Sequence, residues 1–77
     1  MNNKDKAAAY KRLLEDDTFK LVLDEVRDGQ VGVFLNPNSI AEDREKAHNV
    51  VIALNSIIDY IDGVIASDII DDNKKLR

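Results

Sequence analysis

The sequence predicts an all-α protein: an antiparallel helical hairpin with a bent or broken first arm, three helices in all, that assembles into an oligomeric helix bundle. Three observations predict this fold. An apolar stripe with alternating spacings of four and three residues runs through the C-terminal half, a similar stripe precedes it, and the single proline lies between them. Such spacing places apolar side chains on one face of a helix. Residues 1–77 form a single predicted domain.

The first predicted helix covers residues 4–15, which are mostly good helix formers and include three consecutive alanines. Tyr10 and Leu14 lie four residues apart and give this helix a narrow apolar side. The residues from Asp16 to Thr18 interrupt the apolar rhythm, and each can cap a following helix through its side-chain oxygen. We therefore expect the first arm to contain two helices with a break between them.

The second predicted helix covers residues 18–35, in which apolar positions recur at spacings typical of a helix. This stripe consists of Phe19, Val22, Leu23, Val26, Gln30, Val33 and Phe34. Gly29 and Gly32 also lie in this segment, and glycine in a helix interior costs about 1 kcal/mol relative to alanine. Two interpretations stay open: the helix frays or kinks near Gly29, or the glycines let another backbone approach closely.

The turn of the hairpin is predicted at residues 36–38, Asn-Pro-Asn, because a residue before proline disfavours the helical conformation. Ser39 and Glu42 then form a predicted capping box, in which each side chain bonds the backbone N–H of the other residue. The third helix is predicted over residues 40–70 and a polar tail over residues 71–77. A short turn between two arms of similar length gives an antiparallel hairpin.

The apolar face of the third helix is the predicted core and oligomer seam. Its members are Ala47, Val50, Val51, Ile52, Leu54, Ile57, Ile58, Ile61, Val64 and Ile65. Residues 50–54 are an uninterrupted apolar run, which faces every side of a helix, so one partner helix cannot cover it. This run is the main reason to expect self-association. A β-strand is the alternative, because valine and isoleucine favour strands, but residues 47–66 follow helical spacing.

Composition limits the class of protein. The chain is 44% hydrophobic and 34% charged, which is too apolar for a disordered protein. A chain of 77 residues buries a small core and usually needs an additional stabilising device. The absence of cysteine excludes disulfides and thiolate metal sites, and a single histidine argues against a histidine-based zinc site. We expect no metal and no cofactor, which leaves oligomerisation as the means of burying more area.

Charge narrows the expected partners. The net charge of −4 argues against general binding of nucleic acid or anionic membranes, both of which need clustered lysine and arginine. Asp59, Asp62 and Asp68 make the third helix too costly to place across a lipid bilayer. The polar first six residues are not followed by the apolar region of a signal peptide. We therefore expect a cytoplasmic protein without a membrane partner.

No serine or cysteine is placed by the sequence for a nucleophile–base pair, so we expect no catalytic residues and no enzyme. An acidic run ends the third helix, and the hairpin should bring the basic N-terminal segment beside it. Pairing within the chain or between subunits is the first interpretation, and a solvated acidic face is the alternative. For His48, a solvent-exposed helix flank is the alternative to ligand binding. The possible partner or ligand contacts are Tyr10, Lys11, Arg12, Arg44, Lys46, His48, Asp59, Asp62 and Asp68.

Three strings carry a resemblance to a known group of proteins. They are Arg-Leu-Leu-Glu-Asp at residues 12–16 with Phe19 after it, Val-Phe-Leu-Asn-Pro at residues 33–37, and Asp-Arg-Glu-Lys-Ala-His at residues 43–48 followed by Ala53 and Leu54. Together they resemble small proteins that tailed bacteriophages encode near packaging and head-assembly genes. The resemblance implies a phage protein of the host cytoplasm or the virion. Beside the self-association expected from residues 50–54, the resemblance implies a phage head protein or a host protein as a partner.

A second resemblance concerns Arg44-Glu45-Lys46, which opens a helix and is followed by Ala53-Leu54. This arrangement is similar to the two-helix hairpin of phage anti-defence sponges, which sequester cyclic nucleotides. It implies phosphate and base contacts from Arg44, Lys46, His48 or Tyr10. The expected function is a non-enzymatic structural or assembly component of a virion. The alternative is an anti-defence protein that binds a cyclic nucleotide or mimics nucleic-acid phosphates toward a host protein.

Overall fold

The computed structural model describes residues 1–75, with side chains described as far as Asn73, and consists of three α-helices. Helix α1 spans Asn3–Glu15, α2 spans Asp17–Leu35 and α3 spans Ala41–Lys75. The predicted all-α fold is confirmed, and residues 1–75 contain no strand. The strand alternative for residues 50–54 is wrong, because that segment lies within α3.

The predicted break in the first arm is a single extended residue, Asp16, with φ −73° and ψ 121°. Its backbone N–H donates to the Leu13 carbonyl oxygen over 3.1 Å and so closes α1. Its side-chain Oδ1 accepts from the Phe19 N–H over 2.8 Å and so caps α2. One residue therefore serves both helix ends, and α2 begins one residue earlier than predicted because Asp16 alone acts as the cap.

The predicted turn at residues 36–38 lies between α2 and α3. Asn36 is extended, with φ −75° and ψ 118°, as expected for a residue that precedes proline. Its N–H donates to the Gly32 carbonyl oxygen over 3.0 Å, which closes α2. Its side-chain Oδ1 accepts from the Asn38 N–H over 2.9 Å, which tightens the turn.

The capping box predicted from Ser39 and Glu42 does not form, and a single bond of the same kind lies one residue later. The Ser39 N–H donates to the Asn36 carbonyl oxygen over 3.1 Å, so Ser39 belongs to the turn. The Asp43 carboxylate instead accepts from the Ile40 N–H over 3.2 Å, and the helix begins at Ala41 rather than at residue 40. The acidic first turn still suits the positive end of the helix dipole.

The predicted end of the third helix at residue 70 is also wrong. The helix continues to Lys75, so residues 71–75 of the predicted polar tail are helical. These residues are polar but include no glycine or proline, and polarity alone does not stop a helix. The remaining residues 76–77 of the predicted tail lie outside the described part of the chain.

Helix α2 runs without interruption through Gly29 and Gly32, so the predicted fray or kink does not occur. A Cβ atom at either position would meet nothing within 4 Å. Within the described residues, no backbone segment packed from elsewhere in the chain therefore approaches these glycines. Their surroundings are open, which leaves only another molecule as a candidate for close approach.

The first arm, α1 followed by α2, packs along α3, with α2 against its N-terminal half and α1 against its C-terminal half. This is the predicted hairpin with a broken first arm. The molecule measures 58 × 22 × 18 Å and its radius of gyration is 17.0 Å, against about 11.5 Å for a compact domain of this length. Such an elongated shape leaves little interior, and within the described chain the buried hydrophobic residues are Ala7, Ala47 and Ile61.

Candidate interaction surface

Six of the predicted seam residues on α3 face the first arm, and we call them the inner seam. They are Ala47, Val51, Leu54, Ile58, Ile61 and Ile65. Ala47 and Ile61 expose 2% and 5% of their surface, and the other four are half-buried. The inner seam is therefore the part of the predicted seam that α1 and α2 cover within one chain.

A second apolar stripe runs beside the inner seam, and we call it the outer stripe. It consists of Val50, Ala53, Ile57, Tyr60 and Val64, with spacings that alternate between three and four residues. Ile57 and Tyr60 expose 50% and 58% of their surface, and Val50 exposes 37%. Val64 is half-buried and Tyr60 contacts α1, so the outer stripe is an apolar helix face that the first arm covers only in part.

Burial of residues 50–54 on every side does not occur within one chain. Val51 and Leu54 are half-buried, whereas Val50, Ile52 and Ala53 are exposed. Ile52 lies on the back of α3 and exposes 49% of its surface. The two arms together cover only one side of α3. Burial of the other sides by further molecules stays a prediction.

The N-terminal helix contributes one polar cluster, in which Lys6 lies between two tyrosine rings. The Lys6 Nζ donates to the Tyr60 Oη over 3.1 Å and lies 5.5 Å and 5.6 Å from the ring centroids of Tyr60 and Tyr10. The two ring centroids are 6.3 Å apart at an interplanar angle of 55°. The hydrogen bond to Tyr60 and the electrostatic influence of Tyr60 and Tyr10 raise the pKa of Lys6. Desolvation acts in the opposite direction and lowers this pKa. Tyr10 therefore packs α1 against α3.

The basic N-terminal segment and the acidic end of α3 are brought together, but not as ion pairs. Lys4, Lys11 and Asp68 line one cleft between α1 and α3. Among residues 1–73, the ion pairs lie within single helices: Lys20 with Asp17 at 4.0 Å, and Lys46 with Glu42 at 3.3 Å. Lys6 contacts tyrosines instead of carboxylates. Pairing between subunits stays a prediction.

The other predicted contact residues are exposed and dispersed. Arg12, Arg44, Lys46, His48, Asp59 and Asp62 are exposed. Tyr10 lies against Tyr60, whereas Arg44 is sixteen residues earlier on α3, which corresponds to about 24 Å along the helix axis. The residues implied by the resemblance to sponges are therefore not assembled into one pocket within a single chain.

A cleft lies between α2 and α3 near the turn, and the apolar side chains of Val33, Ala47 and Val50 line it together with polar ones. Its volume is about 380 Å³, and its lining includes Gln30, Asn36, Ser39, Asp43 and Lys46. Asp43 is already bonded to the backbone of the helix start. Over the described residues, no group of three histidine, aspartate or glutamate side chains is placed to hold a metal ion. This cleft offers hydrogen bonds but no arrangement that identifies a particular ligand.

Sequence reasoning placed Val50, Ile57 and Val64 in the seam but missed that they form a second stripe with Ala53 and Tyr60. The signal was present, because the five residues recur at spacings of three and four. Alanine and tyrosine are less apolar than the isoleucines beside them, so they did not stand out. The stripe becomes visible once the structure shows which side of α3 the first arm covers.

Helix α3 is long and apolar enough to cross a membrane by length and composition. Within Ala41–Asn73 an 18-residue window reaches a mean hydropathy of 1.6, and 6% of that window is buried. One such helix is weak grounds for assigning a membrane protein, because core helices of soluble proteins have the same length and composition. The low burial shows that the apolar surface of α3 is available to another molecule.

Comparison of the chain with protein families, with curated proteins and with solved structures finds no match.

Proposed function

We propose that this chain is a non-enzymatic, oligomeric helical protein that acts through contacts of its helix faces, as a structural or assembly component of a phage virion. The observation that carries the proposal is that the chain exposes more surface to solvent than a compact monomer of the same mass. The chain exposes 5850 Å², whereas a compact monomer of 8.7 kDa exposes about 4,700 Å². The difference of about 1,100 Å² is comparable to the surface of about 800 Å² that each partner contributes to a standard protein interface.

The kind of surface also favours helix-face contacts. Beyond the outer stripe, Leu21, Val31 and Leu35 expose 56%, 51% and 76% of their surface. A soluble monomer rarely leaves contiguous apolar patches uncovered, and such patches usually mark interaction sites. An elongated two-layer hairpin of this kind gains a full core when further helices pack along its length.

The non-enzymatic part of the proposal rests on the charged side chains. Those singled out in the sequence are spread over the length of the molecule, and all of them except the half-buried Asp68 are exposed. Dispersed, solvated charges keep a protein soluble, whereas catalytic acids and bases converge in a cleft that changes their pKa values. The virion role rests on the resemblance of three segments, residues 12–19, 33–37 and 43–54, to small phage proteins.

Native mass spectrometry of the protein, together with peptide mass spectrometry of purified phage particles, tests the proposal. We expect an assembly of more than one chain and peptides of this protein in the particles. A protein that stays monomeric at micromolar concentration and is missing from the particles would overturn the proposal. A gain of several degrees in melting temperature with micromolar cyclic dinucleotide would overturn it in favour of sequestration.

A further inference from the structure

Helix α1 is docked on α3 and is connected to α2 through the single residue Asp16. Its packing side carries Ala7, which is buried, and Tyr10, whose ring lies against that of Tyr60. Lys6 adds a hydrogen bond to the Tyr60 hydroxyl. Asp16 itself is exposed. The contacts that hold α1 are therefore made mainly with α3, while its connection to α2 is one exposed residue.

The groove under α1 is the C-terminal half of the inner seam. Ile61 exposes 5% of its surface, and Ile65 lines the cleft between α1 and α3 together with Ala7. Tyr60 stands at the edge of this groove and accepts the hydrogen bond from Lys6. The structure therefore shows which helix fits the groove, and α1 of a second copy carries the same side chains in the same order.

The backbone at Asp16 is one rotation away from a helix. Its φ of −73° is already helical, and only its ψ of 121° departs from the helical value of about −42°. Residues 12–20 contain neither glycine nor proline, so no residue there breaks a helix. Rotation about this one bond merges α1 and α2 into a single helix over residues 3–35. The N–H and C=O groups at the two former helix ends then bond each other.

A continuous helix over residues 3–35 turns the packing side of α1 away from α3 of its own chain. The buried or half-buried residues of α1 are Lys6, Ala7, Ala9, Tyr10 and Leu14. Those of α2 are Phe19, Leu23, Arg27, Gln30 and Val33. Each residue advances a helix by about 100°, so the two sets point about 160° apart once the break is removed. An α1 that continues α2 therefore finds its groove on another molecule.

We propose that two copies of this chain exchange α1. In each copy Asp16 turns helical, α1 continues α2, and α1 docks in the groove on α3 of the other copy. Exchange reproduces the contacts of Lys6, Ala7 and Tyr10 with α3 and adds the backbone bonds across the former break. The inference rests on the proposed function, because it names the contact through which copies associate.

Concentration decides between the closed chain and the exchanged pair. In the closed chain the Asp16 side chain accepts from the Phe19 N–H, and in the continuous helix a backbone bond replaces this cap. The docking of α1 is the same in both forms. The balance therefore depends on the merged helix, on the contact between the copies and on the protein concentration. The closed chain described above is the form expected at high dilution.

The substitution Asp17→Pro separates the two forms. Asp17 is the first residue of α2, where proline is well tolerated, and Asp16 already has the extended conformation that a residue before proline prefers. Within a continuous helix the same proline removes a backbone bond and clashes with the preceding turn. We expect sedimentation equilibrium to show a dissociation constant raised at least about 100-fold in Asp17→Pro. The control Asp17→Ala removes the same carboxylate and should remain a dimer, and circular dichroism verifies that both variants are helical.

Cross-linking between two differently labelled chains tests the exchange directly, because the natural sequence contains no cysteine. Lys4→Cys and Asp68→Cys chains are mixed in urea, refolded together at micromolar concentration and treated with a short bismaleimide. Lys4 and Asp68 line one cleft between α1 and α3, so exchange should cross-link the two chains. The control mixture contains Gln30→Cys and Lys46→Cys chains, whose labelled positions line the cleft between α2 and α3. That cleft stays within one chain when only α1 is exchanged, so we expect no cross-link between chains there.

The outcomes distinguish the exchange from the proposed function. A cross-link in the first mixture alone, together with dissociation of Asp17→Pro, supports the exchange. An assembly that cross-links in neither mixture or in both, or that a helical Asp17→Pro leaves intact, would overturn the exchange and leave the proposed function standing. A natural chain that is monomeric at micromolar concentration would contradict both. If Asp17→Pro loses its helical signal, the two cross-linking mixtures decide the question by themselves.

Discussion

The inner seam and the outer stripe of α3 have the same spacing and nearly the same composition, but they differ in their surroundings. Ile61 of the inner seam exposes 5% of its surface, whereas Ile57 of the outer stripe exposes 50%. The two residues are four positions apart on one helix. The difference arises because the first arm is a single layer of helix and can cover only one side of α3. Periodicity thus identifies apolar faces, but the number of covering helices decides which face becomes core.

Substitution at adjacent positions should separate the two stripes most strongly. Ile58 belongs to the inner seam and Ile57 to the outer stripe. We expect Ile58→Glu to lower the free energy of unfolding by about 2 kcal/mol or more, because it places an unpaired carboxylate in the half-buried contact between α3 and the first arm. That loss is a large fraction of the stability of a small domain. Urea denaturation followed by circular dichroism measures the effect.

The same urea experiment on Ile57→Glu supplies the control at a dilution where dimers are absent. We expect a change within about 0.5 kcal/mol, because the position is exposed in the monomer. Equal losses for Ile57→Glu and Ile58→Glu under these conditions would contradict the distinction between the inner seam and the outer stripe.

The helix cap at Asp16 should have the next largest effect. The break at Asp16 lets α1 and α2 follow the inner seam as separate helices, and its side chain satisfies the Phe19 N–H. We expect Asp16→Ala to lower the free energy of unfolding by about 1 kcal/mol. Asp17→Ala is the matched control, because Asp17 is the adjacent exposed carboxylate. A larger loss in Asp17→Ala would show that another residue caps α2.

Glycine-to-alanine substitutions should sharpen the comparison between faces. A Cβ atom would meet nothing within 4 Å at Gly29 of α2 or at Gly63 of α3. In dilute monomer, we expect each substitution to raise the free energy of unfolding by about 0.5 to 1 kcal/mol. Urea denaturation followed by circular dichroism measures both changes, and a loss of stability in either variant would contradict the open surroundings of that glycine.

Tyr60 should have the smallest effect, which should depend on pH. The hydrogen bond to Tyr60 raises the pKa of Lys6, so the folded state holds this proton more tightly than the unfolded state. The resulting stabilisation is complete below the unfolded lysine pKa of about 10.4 and disappears as pH rises through the raised value. We expect Tyr60→Phe to melt slightly below the natural chain at pH 8 and to match it more closely near pH 11. A difference that stays constant over this range would exclude Lys6 as its source.

Local signals made most of the fold predictable from the sequence. The break contains an aspartate, which caps helices through its side chain. The turn at residues 36–38 contains a proline, which cannot continue a helix. The helix start was misplaced because the Ser39 N–H is already bonded to Asn36 in the turn. The helix end was misplaced because residues 71–75 are polar without containing a helix breaker.

The candidate surface was less predictable, because it depends on tertiary coverage. Spacing gave the apolar residues of α3 but could not show which of two neighbouring stripes the first arm would cover. The hairpin was expected to bring the basic N-terminal segment beside the acidic end of α3 and to pair their charges. The structure places Lys11 and Asp68 in one cleft but does not pair them. Lys6 bonds Tyr60 instead, because the tyrosine offers both a hydroxyl acceptor and a ring face.

The single-residue connection at Asp16 makes α1 a separate opening unit. A helix of 13 residues is marginal in water by itself, so α1 stays ordered only while it is docked on α3. Its amide protons should therefore exchange with solvent earlier than those in the middle of α3, through local opening without global unfolding. Each such opening uncovers Ile61 and Ile65, so the C-terminal half of the inner seam becomes transiently accessible to a binding helix from outside the chain.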